Sequence, residues 1–174
     1  MSKSVAVEEA VGMVLPHDIT EIIKGEKKCA AFKKGHIIRE ADIAHLKRLG
    51  KDHIFVLSLD DSQVHENEAA SILARALAGS GIEYVDAPDE GKIALKAAID
   101  GLLRINKESL LQFNMLGEVM CATLHDNTPV KKGEIVAATR LIPLITTRQC
   151  IVDAAKIAGS TPPVVEVLPL HKAK

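Results

Sequence analysis

The chain has 174 residues, with 22 Lys and Arg against 23 Asp and Glu, and its formal net charge is −1. This balance excludes the broad basic surface of a duplex-binding protein, and an aromatic content of 2% excludes the stacking rings of single-strand binders. Hydrophobic residues make up 47% of the chain, so we expect a core built from Ala, Val, Ile and Leu.

The N-terminal sequence MSKSVAVEEAVG has no apolar signal-peptide core, and no segment approaches the ~18 apolar residues of a membrane span. We therefore expect a cytoplasmic protein. The cysteines Cys29, Cys121 and Cys150 are far apart and show no CxxC spacing. The sequence thus predicts neither a disulfide framework nor a paired-cysteine zinc site, and buried free thiols are expected.

The first part of the chain alternates short strands with one helix. A strand-like run at 13–15 ends at Pro16, and a turn at 33–35 separates two more short runs. A helix is predicted at 41–49 with Gly50 at its end, followed by a strand at 53–57. The polar segment 58–62 is the best boundary, so we predict a first module over residues 1–58 and an α+β module over 59–174.

The second module holds the strongest helical pattern, in which one buried stripe is formed by Ala69, Ile72, Leu73, Ala76 and Leu77. Helices are also predicted at 108–114 and after a capping Thr147, with a stop at Gly159. Predicted strands lie at 82–85, 93–103 (with a bend at 100–101), 118–124, 134–141 and 164–168. Because the strands are short and several are joined by turns, we predict an α+β fold with mixed short-stranded sheets and four to five helices.

Two parts of the sequence resemble a known family. Residues 10–57, from AVGMVLPHDIT to GKDHIFVL, resemble the opening of prokaryotic molybdopterin-binding proteins related to the molybdopterin molybdenumtransferases. They are also similar to the small β-clip (SAF-type) modules of sugar-acid enzymes. The segments HENEAASILARAL, EGKIALKAAIDGLLRI and VKKGEIVAATRLIPL, between His65 and Leu144, resemble the remainder of the same N-terminal region. The resemblance implies a β-clip/SAF-like first module and a role in molybdenum cofactor biosynthesis or handling.

The pterin-binding domain of that family carries a Thr-Gly strand-end motif and a glycine-rich phosphate loop. This sequence contains no Thr-Gly and no Gly-Gly dipeptide. We therefore expect the chain to correspond to the N-terminal half of such a protein, without the C-terminal pterin-binding domain. No cofactor is assigned within this chain, and molybdopterin is implied only for the missing domain.

Four cations on or beside apolar segments are candidates for binding an anion: Lys92, Arg104, Arg140 and Arg148. If several converged, they would hold a phosphate or carboxylate, whereas singly each is a solvated surface charge. Arg140 stands out because its neighbours are almost all apolar, and a charge in such a strand is usually paired or at a sheet edge. The lysine pairs at 33–34 and 131–132 are interpreted as solubilising loop-tip residues, with phosphate contacts as the alternative.

Two histidine-containing segments are the other ligand candidates. His65 and Glu66 open the strongest helix, where free amide donors suit an anion, although Glu66 and Glu68 already complement the helix dipole. In the alternative interpretation the two glutamates only complement the helix dipole, and His65 lies at the rim of the helix N-terminus. The other segment, in a turn between strands, consists of His125, Asp126 and Asn127. These residues serve either binding or the turn itself, and we assign no catalytic residue because no nucleophile or oxyanion site accompanies them. No metal is assigned to His65 and Glu66, because adjacent residues rarely bind one ion without further ligands.

Three functions remain open. The first is a non-catalytic binding or interaction module for a pterin-binding domain or a molybdoenzyme-maturation protein. The second is a β-clip module of a sugar-acid enzyme, with a metal held by His65 and His125. The third is a structural dimerisation module, and a homodimer or other homo-oligomer is also compatible with the first function. Nucleic-acid and membrane partners are not expected.

Overall fold

The computed structural model describes residues 3–21 and 29–170, and the chain forms two compact units, Met1–Asp61 and Ser62–Lys174. Residues 1–2 and 22–28 of the predicted first module lie outside the described residues. All pairings between strands in the described ranges are antiparallel, and these ranges contain four α-helices. The predicted α+β class with short-stranded sheets is confirmed. The β-clip/SAF-like character of the first module stays a prediction.

The described residues of unit 1, 3–21 and 29–61, form four short strands and one α-helix. They are β1 (Lys3–Ala6), β2 (Ile19–Glu21), β3 (Cys29–Phe32), α1 (Ile43–Arg48) and β4 (His53–Val56), with 3₁₀ turns at Val7–Ala10 and Glu40–Asp42. Strand β1 pairs with β4, and β2 pairs with β3. The predicted strand at 13–15 is reduced to Val14, which bridges both Ile37 and Leu57. The hydrophobic core of unit 1 includes Leu15, Ile38 and Leu46.

Unit 2 is larger, and its described residues, 62–170, contain three helices. Its elements are β5 (Gln63–His65), α2 (Glu66–Leu77), β6 (Ile82–Glu83), β7 (Lys92–Ala97), β8 (Gly101–Ile105), α3 (Lys107–Asn114), β9 (Val119–Thr123), β10 (Pro129–Val130), β11 (Ile135–Leu141), β12 (Ile145–Thr147), α4 (Arg148–Ala158) and β13 (Val165–Pro169). The helices pack on a core formed with the strands. No helix in residues 3–21 and 29–170 is long and apolar enough to cross a membrane.

The strands of unit 2 form three sheets. The largest has the order β6-β7-β11-β9, a second has the order β10-β8-β13, and β5 pairs with β12. The single strand predicted at 93–103 is therefore wrong: β7 and β8 are separate strands in different sheets. Strand β7 ends before the polar segment Asp100–Gly101, and β8 begins at Gly101. Gly101 is buried so close to Leu168 that no larger residue would fit there.

Helix α2 places most of its predicted stripe in the core, but not all. Ala69, Leu73 and Leu77 are fully buried, whereas Ile72 and Ala76 are only partly buried because the buried face of α2 includes Ala70 and Ala74 instead. In α4 the predicted cap is confirmed, since the Thr147 hydroxyl accepts the N–H of Cys150 at 3.2 Å. This cap fixes where α4 leaves the β5–β12 pair.

Candidate functional site

The outer face of the four-stranded sheet brings two of the predicted cations together. Arg140 of β11 lies directly opposite Lys92 of β7 on one side and Met120 of β9 on the other. Opposed residues in an antiparallel sheet point to the same face, with Cβ atoms about 4.5–5.5 Å apart. The buried face is recognisable from the next row, where Thr139 lies opposite Ile93 and is fully buried. Lys92 and Arg140 are therefore neighbours on the outer face.

A row of small side chains lies beside these cations. Ala138 pairs with Ala94 and with Ala122, and strand alternation places Lys96 on the same face as Lys92. We call this surface the basic sheet face: it consists of Lys92, Lys96 and Arg140 around Ala94, Ala122 and Ala138. The alanines are exposed or partly exposed, so an anionic group can approach the cations without displacing a large side chain.

The cations of the basic sheet face have no ion-pair partner in the part of the chain that the structure describes. Among residues 3–21 and 29–170, no ion pair involves Lys92, Lys96 or Arg140, although Glu83 lies opposite Lys96 on the edge strand. Like charges directly opposite each other on a sheet are destabilising. An anion bound between Lys92 and Arg140 would remove that repulsion.

A cavity of about 320 Å³ adjoins the basic sheet face along β7. Its lining includes Lys92, Ala94 and Lys96, together with residues of the preceding loop, Val85, Ala87 and Asp89. The loop is held at its end by reciprocal backbone hydrogen bonds between Asp89 and Lys92, at 3.0 and 3.1 Å. A ligand on this side would thus meet one carboxylate and two ammonium groups.

The other two predicted cations do not join this site. Arg104 lies on β8, in the three-stranded sheet, and its Nε is 3.4 Å from Asp126 Oδ1. Arg148 opens α4 and its guanidinium donates to Glu68 of α2 at 2.9 Å. Each of these arginines is paired with a carboxylate on another element, so the four predicted cations do not form one cluster.

The turn at 125–127 has a clear structural role. Asp126 Oδ1 accepts the N–H of Ile105 at 3.0 Å, and its other oxygen lies 3.2 Å from Lys107 Nζ. The Ile105 hydrogen bond lowers the pKa of Asp126 most, and Lys107 and Arg104 lower it further against the opposing effect of burial. Asn127 adopts φ +62°, the left-handed conformation that Asn tolerates in turns, and His125 is exposed.

The start of α2 is also structural. His65 is only 5% exposed, so the interpretation that it lies at a rim is wrong. Its Nδ1 caps the helix by accepting the N–H of Asn67 at 3.2 Å. Glu66 is buried beneath the start of β7, where a side chain on Gly91 would lie 2.9 Å from the Glu66 Cβ atom.

A second polar cluster lies in unit 1 around Phe32. Its ring contacts His36 and His45, with centroids 5.2 and 5.1 Å away. His36 Nε2 lies 2.7 Å from Asp42 Oδ2, and His45 Nε2 lies 3.1 Å from a carboxylate oxygen of Glu21. Burial raises the pKa of Asp42, but the hydrogen bonds from His36 and the Arg39 N–H more than offset it, and the pKa is lowered overall.

The cysteines are all free. Cys121 is buried, Cys150 is half-buried and Cys29 is exposed, so the expectation of buried thiols is wrong for Cys29. Burial raises the pKa of the Cys121 thiol to about 12, which makes it unreactive. Within residues 3–21 and 29–170, no three or more His, Cys, Asp or Glu side chains are grouped to hold a metal.

Sequence reasoning named Lys92 and Arg140 but missed Lys96. The alternation Lys92, Ala94, Lys96 against Ile93, Leu95, Ala97 would have placed both lysines on one outer face. The predicted strand begins at Ile93 and continues to 103. Because it excludes Lys92, it does not show that Lys92 and Lys96 share one face.

Comparison with known proteins gives one finding. A family model described as a domain of unknown function (DUF8806) matches residues 4–58, which lie in unit 1. Neither the curated proteins nor the solved structures contain a significant match to the chain. The basic sheet face lies outside the matched segment.

Proposed function

We propose that this chain is a non-catalytic binding module, and that unit 2 receives an anionic group of a partner on its basic sheet face. The observation that carries the proposal is the direct opposition of Lys92 and Arg140, neither of which forms an ion pair with a carboxylate in the described part of the chain. An unrelieved like-charged pair lowers the stability of the sheet, and an incoming phosphate or carboxylate reverses that effect.

The remaining predicted ligand residues support binding at this face rather than elsewhere. Asp126 organises the turn between β9 and β10, His65 caps α2, and Arg148 pairs with Glu68. Each of these side chains already has a structural partner. Lys92 is exposed, whereas Lys96 and Arg140 are half-buried. Arg140 Nε donates to the Leu141 carbonyl at 3.5 Å, but none of the three cations forms an ion pair with a carboxylate of the described residues.

The identity of the partner rests on the sequence resemblance. Similarity to the N-terminal region of molybdopterin-binding proteins favours a pterin-binding domain or a molybdoenzyme-maturation protein as the partner. The role would lie in molybdenum cofactor biosynthesis or handling. Molybdopterin belongs to the partner domain in this proposal, and no residue of this chain is assigned to it.

The test measures binding between the whole chain and a purified pterin-binding domain of the molybdenumtransferase family by calorimetry, at low and high salt. The double substitution Lys92→Glu/Arg140→Glu is compared with Lys131→Glu/Lys132→Glu, which makes the same charge change at an exposed turn. We expect the first variant to bind at least about tenfold more weakly, since two exposed ionic contacts contribute about 1.4 kcal/mol together.

Equal weakening by both double variants would show that only overall charge matters and would contradict the basic sheet face as the site. Absence of binding by the unaltered chain would contradict the proposed partner. The predicted homodimer stays a prediction, which light scattering of the unaltered chain tests at several concentrations.

A further inference from the structure

Unit 2 has a second cavity, of about 440 Å³, between α2 and α4. It is lined by Val64, Ile72, Arg148, Ile151, Val152, Ala155 and Lys156. Val64 and Ile151 are buried and form the floor, whereas Val152 is 45% exposed. We call this cavity the α2–α4 groove.

The apolar side chains of the groove form one surface and are not isolated exposed residues. The five lining residues of α4 follow the i, i+3, i+4, i+7, i+8 pattern of a single helix face. Ile72, which belongs to the predicted buried stripe of α2, and Ala155 line it and are only partly buried. Sites for small molecules have volumes of about 300–1,000 Å³ and mostly apolar linings with a few polar groups, and the groove fits that description.

The charges differ between the two ends of the groove. Arg148 and Lys156 are eight residues apart on α4, which separates them by about 12 Å along the helix axis. At the first end, the Arg148 guanidinium already donates to Glu68 at 2.9 Å. At the other end, Lys156 is 72% exposed and its nearest carboxylate, Asp153, is 3.9 Å away on the same helix.

Both cations that line the groove have a carboxylate partner, but the Lys156–Asp153 contact is 3.9 Å and the Arg148–Glu68 contact is 2.9 Å, so Lys156 is the cation more available to a ligand. A negative group is therefore attracted to the Lys156 end. A cationic amphiphile would be repelled by Lys156. We propose that the α2–α4 groove binds a small amphiphilic monoanion, with its acidic group at Lys156 and its apolar body on Ile72, Ile151 and Val152. This inference is independent of the proposed partner and of the basic sheet face.

The probe is 8-anilinonaphthalene-1-sulfonate, an aromatic monoanion whose fluorescence rises in apolar sites, titrated into the whole folded chain. Val152→Glu is expected to weaken binding about tenfold, because it removes apolar contact and adds a negative charge. Lys156→Gln, an exposed change that leaves packing intact, is expected to weaken it about twofold to fivefold. The control is Leu111→Glu, which alters an exposed apolar residue of α3 and should leave binding unchanged.

Competition identifies the charge that the groove prefers. Decanoate below its micelle concentration should displace the probe from the unaltered chain, and decylamine should not. Circular dichroism of every variant verifies that it is folded, so that probe binding to an unfolded chain is excluded.

Three results would overturn the inference: equal displacement by decanoate and decylamine, unchanged binding in both Val152→Glu and Lys156→Gln, or equal loss in Leu111→Glu. A groove occupied by a second copy of the chain would also overturn it. In that case sedimentation would show a dimer that Val152→Glu converts to monomer, without any probe binding to either form.

Discussion

Replacing Gly91 by alanine tests how β7, which carries Lys92 and Lys96, is held against α2. Gly91 adopts φ +71°, and an added Cβ would lie 2.9 Å from Glu66 Cβ and 3.0 Å from Glu66 Oε2. The Gly91 N–H also donates to Asn67 Oδ1 at 3.0 Å. The substitution therefore combines an unfavourable backbone conformation with a steric clash against a buried side chain.

The matched control is Gly133→Ala in the turn before β11. Gly133 has φ +86°, but nothing lies within 4 Å of its added Cβ. The left-handed conformation alone costs an alanine about 1–2 kcal/mol. Overpacking against Glu66 adds about 1–3 kcal/mol, so Gly91→Ala should lower the free energy of unfolding by about 2–5 kcal/mol.

The measurement is urea unfolding of unit 2 in the whole chain, followed by far-ultraviolet circular dichroism because the sequence has no Trp and one Tyr. Both glycines lie in unit 2, so the two variants affect the same unfolding transition. If Gly91→Ala loses no more stability than Gly133→Ala, the close packing of Gly91 on Glu66 is wrong.

Three further substitutions test other parts of the fold. Thr147→Ala removes the acceptor for the Cys150 N–H and should destabilise unit 2 by about 0.5–2 kcal/mol in thermal unfolding, while Thr147→Ser should restore most of that loss. Leu73→Ala, at a fully buried site, should cost about 2–5 kcal/mol in urea unfolding, and a smaller loss would contradict its core position. Burial raises the pKa of Asp42, but the hydrogen bond from His36 helps to lower it overall. This carboxylate therefore stabilises unit 1 above the unfolded pKa of about 3.9, and it loses that effect as the pH falls through the lower pKa of the folded state. Asp42→Asn should therefore lower the melting temperature at pH 7 and have little effect at the lowest pH where the chain still folds, and a constant difference across pH would refute the assignment.

The helices were predictable because their signals are local. The apolar spacing of α2 lies within one helix and the Thr147 cap within the first turn of α4, and the sequence predicts both helices correctly. The buried face of α2 deviates slightly from the predicted stripe, because Ala70 and Ala74 pack in the core and leave Ile72 beside the α2–α4 groove. The apolar periodicity of a helix predicts which face is buried, but how far that face extends depends on the element packed against it.

The sheets and the candidate site were harder to predict because they depend on pairing between distant segments. Lys92 and Arg140 were each named from their apolar surroundings, but their opposition depends on the register of β7 against β11, which no local signal specifies. Strands β7 and β8 were merged for the same reason, since the polar segment between them does not reveal that they join different sheets. The short strands β5 and β12 were missed because three residues are too few for an alternation pattern.

The most direct test of the basic sheet face is a nuclear magnetic resonance titration of the isotope-labelled whole chain with pyrophosphate at low salt. We expect the largest amide shifts at residues 92–96, 138–140 and 120–122, and we expect the Lys92→Glu/Arg140→Glu variant to lose them. Shifts centred instead on Lys131 and Lys132, or spread evenly over all exposed lysines, would contradict the claim that this face is the anion-binding surface.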